Sequence, residues 1–185
     1  MKYSIRAAIS GFLLAAVMLL AVTGFPQESE IIQNQVNMFL SIIENRTERI
    51  EQDKKDVEAY YERGTARYRL GLLYLFTYEP PYTDEQIETV KNLFDLAVED
   101  FSEVIKRDKD NYDAYISRGM VYGQMDLSFA AVADFTHVIV EDPQNDKAYY
   151  ARGREYWEME RYEEAKMDYD RACELNPEWL EYFYK

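Results

Sequence analysis

One cysteine and one histidine in 185 residues are too few for a zinc finger and leave no pair for a disulfide framework. Seven glycines and five prolines do not furnish the turns of an all-β domain, and they exclude collagen-like or low-complexity chains. Positive charge is also scarce. Lys and Arg number 21 against 35 Asp and Glu, a formal charge of −14, which argues against a phosphate-binding surface and hence against nucleic acid as a partner. No Gly-rich phosphate loop, Ser/His/Asp set or metal-spaced cluster occurs, so no catalytic residue, metal or cofactor is expected and the chain reads as a non-enzyme. The length suits one ordinary domain plus an extra segment. What is plentiful is apolar: 48% of residues are hydrophobic and 15% aromatic, which points to an ordered, helical chain.

The first residues read as an export signal. Lys2 and Arg6 precede an uncharged run from Ala7 to Val22, and Val22-Thr23-Gly24 approximates the small-residue site of a signal peptidase. Residues 1–24 are therefore expected to be a signal peptide, or, uncleaved, a membrane anchor, since the 19 residues from Ala7 to Phe25 can span a bilayer. Either way the basic end stays in the cytoplasm, and residues 26 onward are expected outside it, in the periplasm or cell envelope of a bacterium, secreted or membrane-anchored. No cysteine lies near this segment, which excludes a lipid anchor on an N-terminal cysteine.

Three copies of one hexapeptide follow: Ala59-Tyr60-Tyr61-Glu62-Arg63-Gly64, Ala114-Tyr115-Ile116-Ser117-Arg118-Gly119 and Ala148-Tyr149-Tyr150-Ala151-Arg152-Gly153. A second set, Ala97, Ala131 and Ala165 with Asp100-Phe101, Asp134-Phe135 and Asp168-Tyr169, steps by 34, the same period that separates Gly119 from Gly153. The second copy presents Tyr115, Gly119, Tyr122, Ala131, Phe135 and Pro143, and the third presents Tyr149, Gly153, Tyr156, Ala165, Tyr169 and Pro177. In this register the chain resembles the tetratricopeptide repeat family. The first copy departs from the pattern at Arg67 and Lys109, and all three have Arg where Leu usually precedes Gly. The resemblance implies an all-α superhelix, a solenoid of αα-hairpins, over residues 56–178, with units at about 56–109, 112–145 and 146–178. Residues 178–185 would begin a C-terminal capping helix.

The first hairpin is expected to be elongated. Gly64 and Ala97 lie 33 residues apart against 12 for Gly119 and Ala131, an insertion of 21 that falls within about 68–90. Its first helix should continue through Phe76 and stop before Pro80-Pro81. A capping box at Thr83 and Gln86 should start the second near Asp84, ending about Arg107. Upstream, Ile32, Val36, Phe39, Ile43 and Ile50 share a helical face, so residues 25–55 are read as a linker and an N-terminal capping helix over about 28–52.

Tyr61, Thr65 and Tyr68, then Ile116, Met120 and Gly123, then Tyr150, Arg154 and Trp157 lie on the face that lines the concave surface in repeats of the resembled kind. They are the expected partner-binding groove, with Leu72, Leu73, Tyr74, Leu75 and Phe76 at the hairpin tip as a second contact. Apart from Arg154 and nearby Lys147, the cations and amides of family members that clamp a C-terminal carboxylate are missing. An apolar or extended segment is the better fit. His137 and Cys173 are weighed by repeat register: Glu103 and Arg171 place the histidine on an exposed face, and Ile105 and Ile139 make the cysteine a small buried hydrophobe. The expectation is an exported scaffold or assembly adaptor that binds another protein or peptide, the alternative a small-ligand-handling accessory protein. Membrane association through residues 7–25 and homo-oligomers stay open. N-terminal sequencing of the protein recovered from outside the cytoplasm is expected to begin at Phe25. An intact Met1 would make the apolar run a retained anchor.

Overall fold

The computed structural model describes residues 26–183 apart from residue 79. The export segment expected at residues 1–24 lies outside the described residues. Among the described residues all regular structure is helical, and no helix is long and apolar enough to cross a membrane. The helices are α1 (Pro26–Gln52), α2 (Val57–Thr77), α3 (Asp84–Arg107), α4 (Tyr112–Gln124), α5 (Ser128–Glu141), α6 (Asp146–Glu158), α7 (Tyr162–Leu175) and α8 (Glu178–Phe183). They form the hairpins α2/α3, α4/α5 and α6/α7, stacked in chain order into the all-α solenoid anticipated from the repeats.

The hairpins begin alike because one turn is reused. Asp53, Asp108, Asp142 and Asn176 each accept the backbone N–H two residues on, from Lys55, Asp110, Gln144 and Glu178, at 2.8, 3.2, 3.2 and 3.1 Å. Asp56, Asn111 and Asn145 then cap α2, α4 and α6 by accepting from Ala59, Ala114 and Ala148. This Asx turn ends α3 without a proline, which explains why Lys109 is tolerated. At the other end of the hairpins, Asp126 and Glu160 adopt φ of 58°, and the N–H groups of Leu127 and Arg161 return to the carbonyls of Tyr122 and Tyr156 at 2.9 and 2.8 Å. These are Schellman closures of α4 and α6.

The first hairpin replaces that tight closure with length. α2 has 21 residues against 13 in α4, and α3 has 24 against 14 in α5. At ~1.5 Å per residue the tip overhangs its neighbour by about 12–15 Å. Thr83 accepts from the Gln86 N–H, and the Gln86 side chain accepts from the Thr83 N–H, the capping box that starts α3.

Each hairpin is pinned by an arginine. Arg118 grips Asp134 with two nitrogens at 2.8 and 2.7 Å, and Arg152 grips Asp168 at 2.7 and 2.8 Å, each carboxylate sixteen residues onward. Arg63 does the same to Asp100 thirty-seven residues onward, the insertion intervening. The third nitrogen reaches back sixteen residues in every case, to the hydroxyls of Thr47, Ser102 and Thr136 at 3.1, 3.0 and 3.1 Å. Every arginine thus joins its own two helices to the helix before them. Arg118 lies beside the rings of Tyr115 and Tyr122, and Arg152 beside those of Tyr149 and Tyr156, 5.6–5.8 Å from the centroids. In the first unit the second tyrosine is replaced by Arg67, which shares Asp100 at 2.7 Å and donates to the Leu96 carbonyl.

Thr47 gives α1 its identity. It stands where Ser102 and Thr136 stand on α3 and α5, and Asp53 repeats their turn, so α1 occupies the place of a second helix belonging to a preceding unit. Val36, Ile43 and Ile50 are buried against α2, with Ile32 and Phe39 partly so, and Arg46, which interrupts that stripe, pairs with Glu62.

Close approach within hairpins rests on glycine. A Cβ at Gly119 would lie 2.6 Å from the Phe135 ring, at Gly71 2.5 Å from Phe94 and at Gly153 2.9 Å from Tyr169, but at Gly64 its contacts with Asp100 and Phe101 would start at 3.1 Å. Alanine gains up to ~1 kcal/mol of helix propensity, whereas overpacking costs about 1–3 kcal/mol. Urea unfolding should therefore show Gly119→Ala destabilised by about 1–2 kcal/mol and Gly64→Ala near neutral. A Gly119→Ala midpoint at or above wild type would mean that the helices separate freely.

Candidate functional site

The first helices of the three units, α2, α4 and α6, form the inner face of the stack. Tyr61, Thr65, Tyr68, Leu72 and Phe76 succeed one another by three or four residues and so form one stripe along α2, about two turns longer than those on α4 and α6. The stripe is built from half-buried rings. Tyr61 packs edge-on against Phe101 at 5.6 Å and brings its hydroxyl within 3.4 Å of Ser117 on α4. The Thr65 hydroxyl donates to the Tyr61 carbonyl, and Tyr68 leans on Phe94 at 5.9 Å. Burial pushes the Tyr68 phenol up, with the Arg154 guanidinium opposing and the Glu155 carboxylate adding, so units one and three meet electrostatically at this ring.

The middle of the face holds a carboxylate the repeat register does not foresee. Glu155 is 2% exposed, where the counterpart positions carry Val121 and Ala66. It fits because Gly123 leaves a notch: a Cβ there would lie 2.4 Å from the Glu155 carboxylate. Arg154 supplies its ion pair at 3.3 Å. The sequence signal was the glycine on the groove face, and only packing shows what fills it.

Several of the expected contact residues lie elsewhere. Ile116 is 8% exposed and Tyr74 5%, so both belong to the core: Ile116 packs with Phe135 and Val138, and Tyr74 with α1 and α3. The hairpin tip is correspondingly less bare than its composition implies. Leu72, Leu73 and Leu75 are half-buried because α1 and α3 flank α2, and Phe76 alone of the five is fully exposed, at 85%. Tyr150 is covered by Trp179 of α8, stacked at 4.2 Å and 12°. Trp179 and Asn176 both donate to Asp146, at 2.7 and 2.9 Å. Met120 and Arg154 are half-buried, and Trp157 is exposed and edge-on to Tyr162 at 5.0 Å. The open part of the inner face is therefore Tyr68, Leu72 and Phe76 on α2, Met120 on α4, and Arg154 with Trp157 on α6.

His137 and Cys173 also need correction. The His137 ring is half-buried and lies 4.3 Å from that of Tyr115, just as Arg171 approaches Tyr149 at 6.0 Å, because this position flanks the tyrosine near the start of the unit's first helix. Cys173 is half-buried rather than buried, since only the short α8 follows α7. Burial raises its thiol pKa, which disfavours the thiolate. Among the described residues no group of three or more His, Cys, Asp or Glu could hold a metal ion.

The last unit, residues 146–178, matches the family model described as tetratricopeptide repeat. No curated protein matches the sequence. Among solved structures the chain is similar to the Arabidopsis OM64 TPR domain, at 25% identity over 66% of this chain and 84% of that one, with a TM-score of 0.52. It is also similar to MamA, at 19% identity over 98% and 99% of the two chains with a TM-score of 0.59. The second TPR of Spaghetti (RPAP3), bound to the HSP90 peptide SRMEEVD, is 20% identical over 69% and 99%, with a TM-score of 0.51.

Burial alone would raise the Asp146 carboxyl, but the bonds from Asn176 and Trp179 outweigh it and hold it below its ordinary value. A carboxyl with a lowered folded-state pKa stabilises docking above its ordinary value of ~3.9 and ceases to do so as pH falls through the lowered one. In a Trp157→Phe background, Trp179 fluorescence should report α8 loosening over that acid range, and Asp146→Asn should remove the transition. Identical acid titrations of the two proteins would show that Asp146 does not hold α8.

Proposed function

Because the last unit matches the tetratricopeptide repeat and the two hairpins before it repeat its fold, we propose that the chain is a non-enzymatic protein–protein interaction scaffold or assembly adaptor that works outside the cytoplasm. It holds a segment of another exported protein along its inner face. The observation that carries this reading is the continuous stripe from Tyr68 through Leu72 to Phe76, open opposite Met120 and Trp157. Such a face matches an apolar partner segment at alternate helical turns. Export is supported by Lys2 and Arg6 ahead of the apolar run from Ala7.

A similarly folded repeat protein binds the peptide SRMEEVD, which supports a peptide as the class of partner. The chemistry of this face selects a different sequence. Arg154, the cation best placed for a carboxylate, is already paired with Glu155, and the chain carries a formal charge of −14. An apolar segment with basic rather than acidic flanks is the better complement.

Photo-crosslinking amino acids at Phe76 and at Trp157 should capture one and the same protein in cells, and Met120→Glu should weaken its binding tenfold or more, about 1.4 kcal/mol. Capture of that protein with equal efficiency from Glu103, on α3, would overturn an inner-face site.

A further inference from the structure

The step between the long first hairpin and the shorter second one leaves an open-mouthed cavity that the inner face does not use. Leu75 of α2, Tyr78 capping its end, Tyr82 of the connection, and Ile87, Val90 and Phe94 of α3 form its wall, and Gln124, Met125 and Asp126, closing the α4/α5 hairpin, form its floor. Had the second hairpin been as long as the first, its own side chains would cover this wall. The cavity measures ≈ 290 Å³, and its lining is predominantly apolar. An apolar cavity of about 150 Å³ already accepts a benzene ring, so one substituted ring fits here.

The wall is not purely apolar. Tyr78 is 6% exposed, yet its side chain makes no hydrogen bond among the described residues. Tyr78 lines the cavity, and its stacking partner Tyr74, 5.4 Å away and nearly parallel, has a buried hydroxyl without a partner. A buried hydroxyl left unsatisfied costs on the order of 1–3 kcal/mol, so Tyr74 leaves this end of the hairpin short of one acceptor. Burial, and secondarily the Glu85 carboxylate, pushes the Tyr78 phenol up to about 12, so it keeps its proton and is available as a donor.

We propose that this cavity is a binding site for a single aromatic ring carrying one hydrogen-bond-accepting oxygen, with the Tyr78 hydroxyl as its donor. The ring lies between Leu75, Ile87 and Phe94 above Met125, and its oxygen meets Tyr78. Ile87 and Tyr82, 54% and 44% exposed, form the mouth. A free phenol and a tyrosine side chain share this chemistry. The site is independent of the inner face.

The test titrates the full chain with p-cresol, toluene and N-acetyltyrosinamide, followed by methyl-resolved NMR. p-Cresol should saturate one site, with shifts centred on Leu75, Ile87 and Met125, and should bind five- to tenfold more tightly than toluene. Tyr78→Phe should reduce p-cresol to the level of toluene, while Ile87→Trp, which fills the mouth from a half-exposed position, should abolish both. Met120→Glu should leave p-cresol unaffected, which separates this site from inner-face binding. Saturation by N-acetyltyrosinamide as well would assign the ring to a polypeptide, and saturation by p-cresol alone to a free small molecule. Absence of saturation, or saturation that survives Ile87→Trp, would overturn the site.

Discussion

The stack depends on an arginine placed one residue before the crossing glycine of each unit. A guanidinium presents its donors in a rigid fork, so it can grip one carboxylate with two nitrogens and still extend a third elsewhere. Arg118 and Arg152 use the pair on their own hairpin and the third on the hydroxyl of the preceding helix. The bonds to Asp134 and Asp168 raise both guanidiniums above their ordinary pKa against the opposing effect of burial, so the two arginines keep their charge. A leucine at this position would fill space but would not dictate which helix comes next. Here the same contact fixes the crossing within a unit and the register between units.

The first unit shows how far this arrangement can be altered. Arg67 replaces a tyrosine and becomes a second cation on Asp100, and burial lowers its pKa despite that carboxylate. The carboxylate is consequently gripped from two turns of α2. Above that grip α2 and α3 depart from the repeat length, creating both the extended inner stripe and the walled step beneath the tip. Two surfaces of different shape thus arise from one insertion.

Much of this was legible in the chain itself. Period-34 markers, the capping box at Thr83 and Gln86, and the prolines after Asp142 and Asn176 are local signals, and local hydrogen bonding is what ends helices. The hydroxyls at Thr47, Ser102 and Thr136 each stand sixteen residues before the arginine of their unit, a spacing that could have been read from the chain. Side-chain cover was the least accessible. Leu72 to Phe76 reads as apolar on several faces, but only tertiary packing shows that Tyr74 is enclosed and Phe76 is not. Trp179 lies in the capping helix beyond the repeat pattern, and cover of the groove rings by that cap is as compatible with the chain as an open groove, so only packing shows that it covers Tyr150.

The anchoring pairs lie midway along the second and third hairpins and, in the long first one, on the side of the Asx turns, so the closures at the opposite ends contribute none of these bidentate pairs. Hairpin height is therefore a separable variable. Residues can be added at the Schellman closures around Asp126 or Glu160 without disturbing the contacts that order the stack, as the interval between Gly64 and Ala97 already demonstrates. New recesses would then appear wherever two neighbours differ in height. For such a protein, changes in loop length between helices of one unit are a route to new binding shapes that leaves the framework intact, and Gln124–Leu127 is the first place to try it.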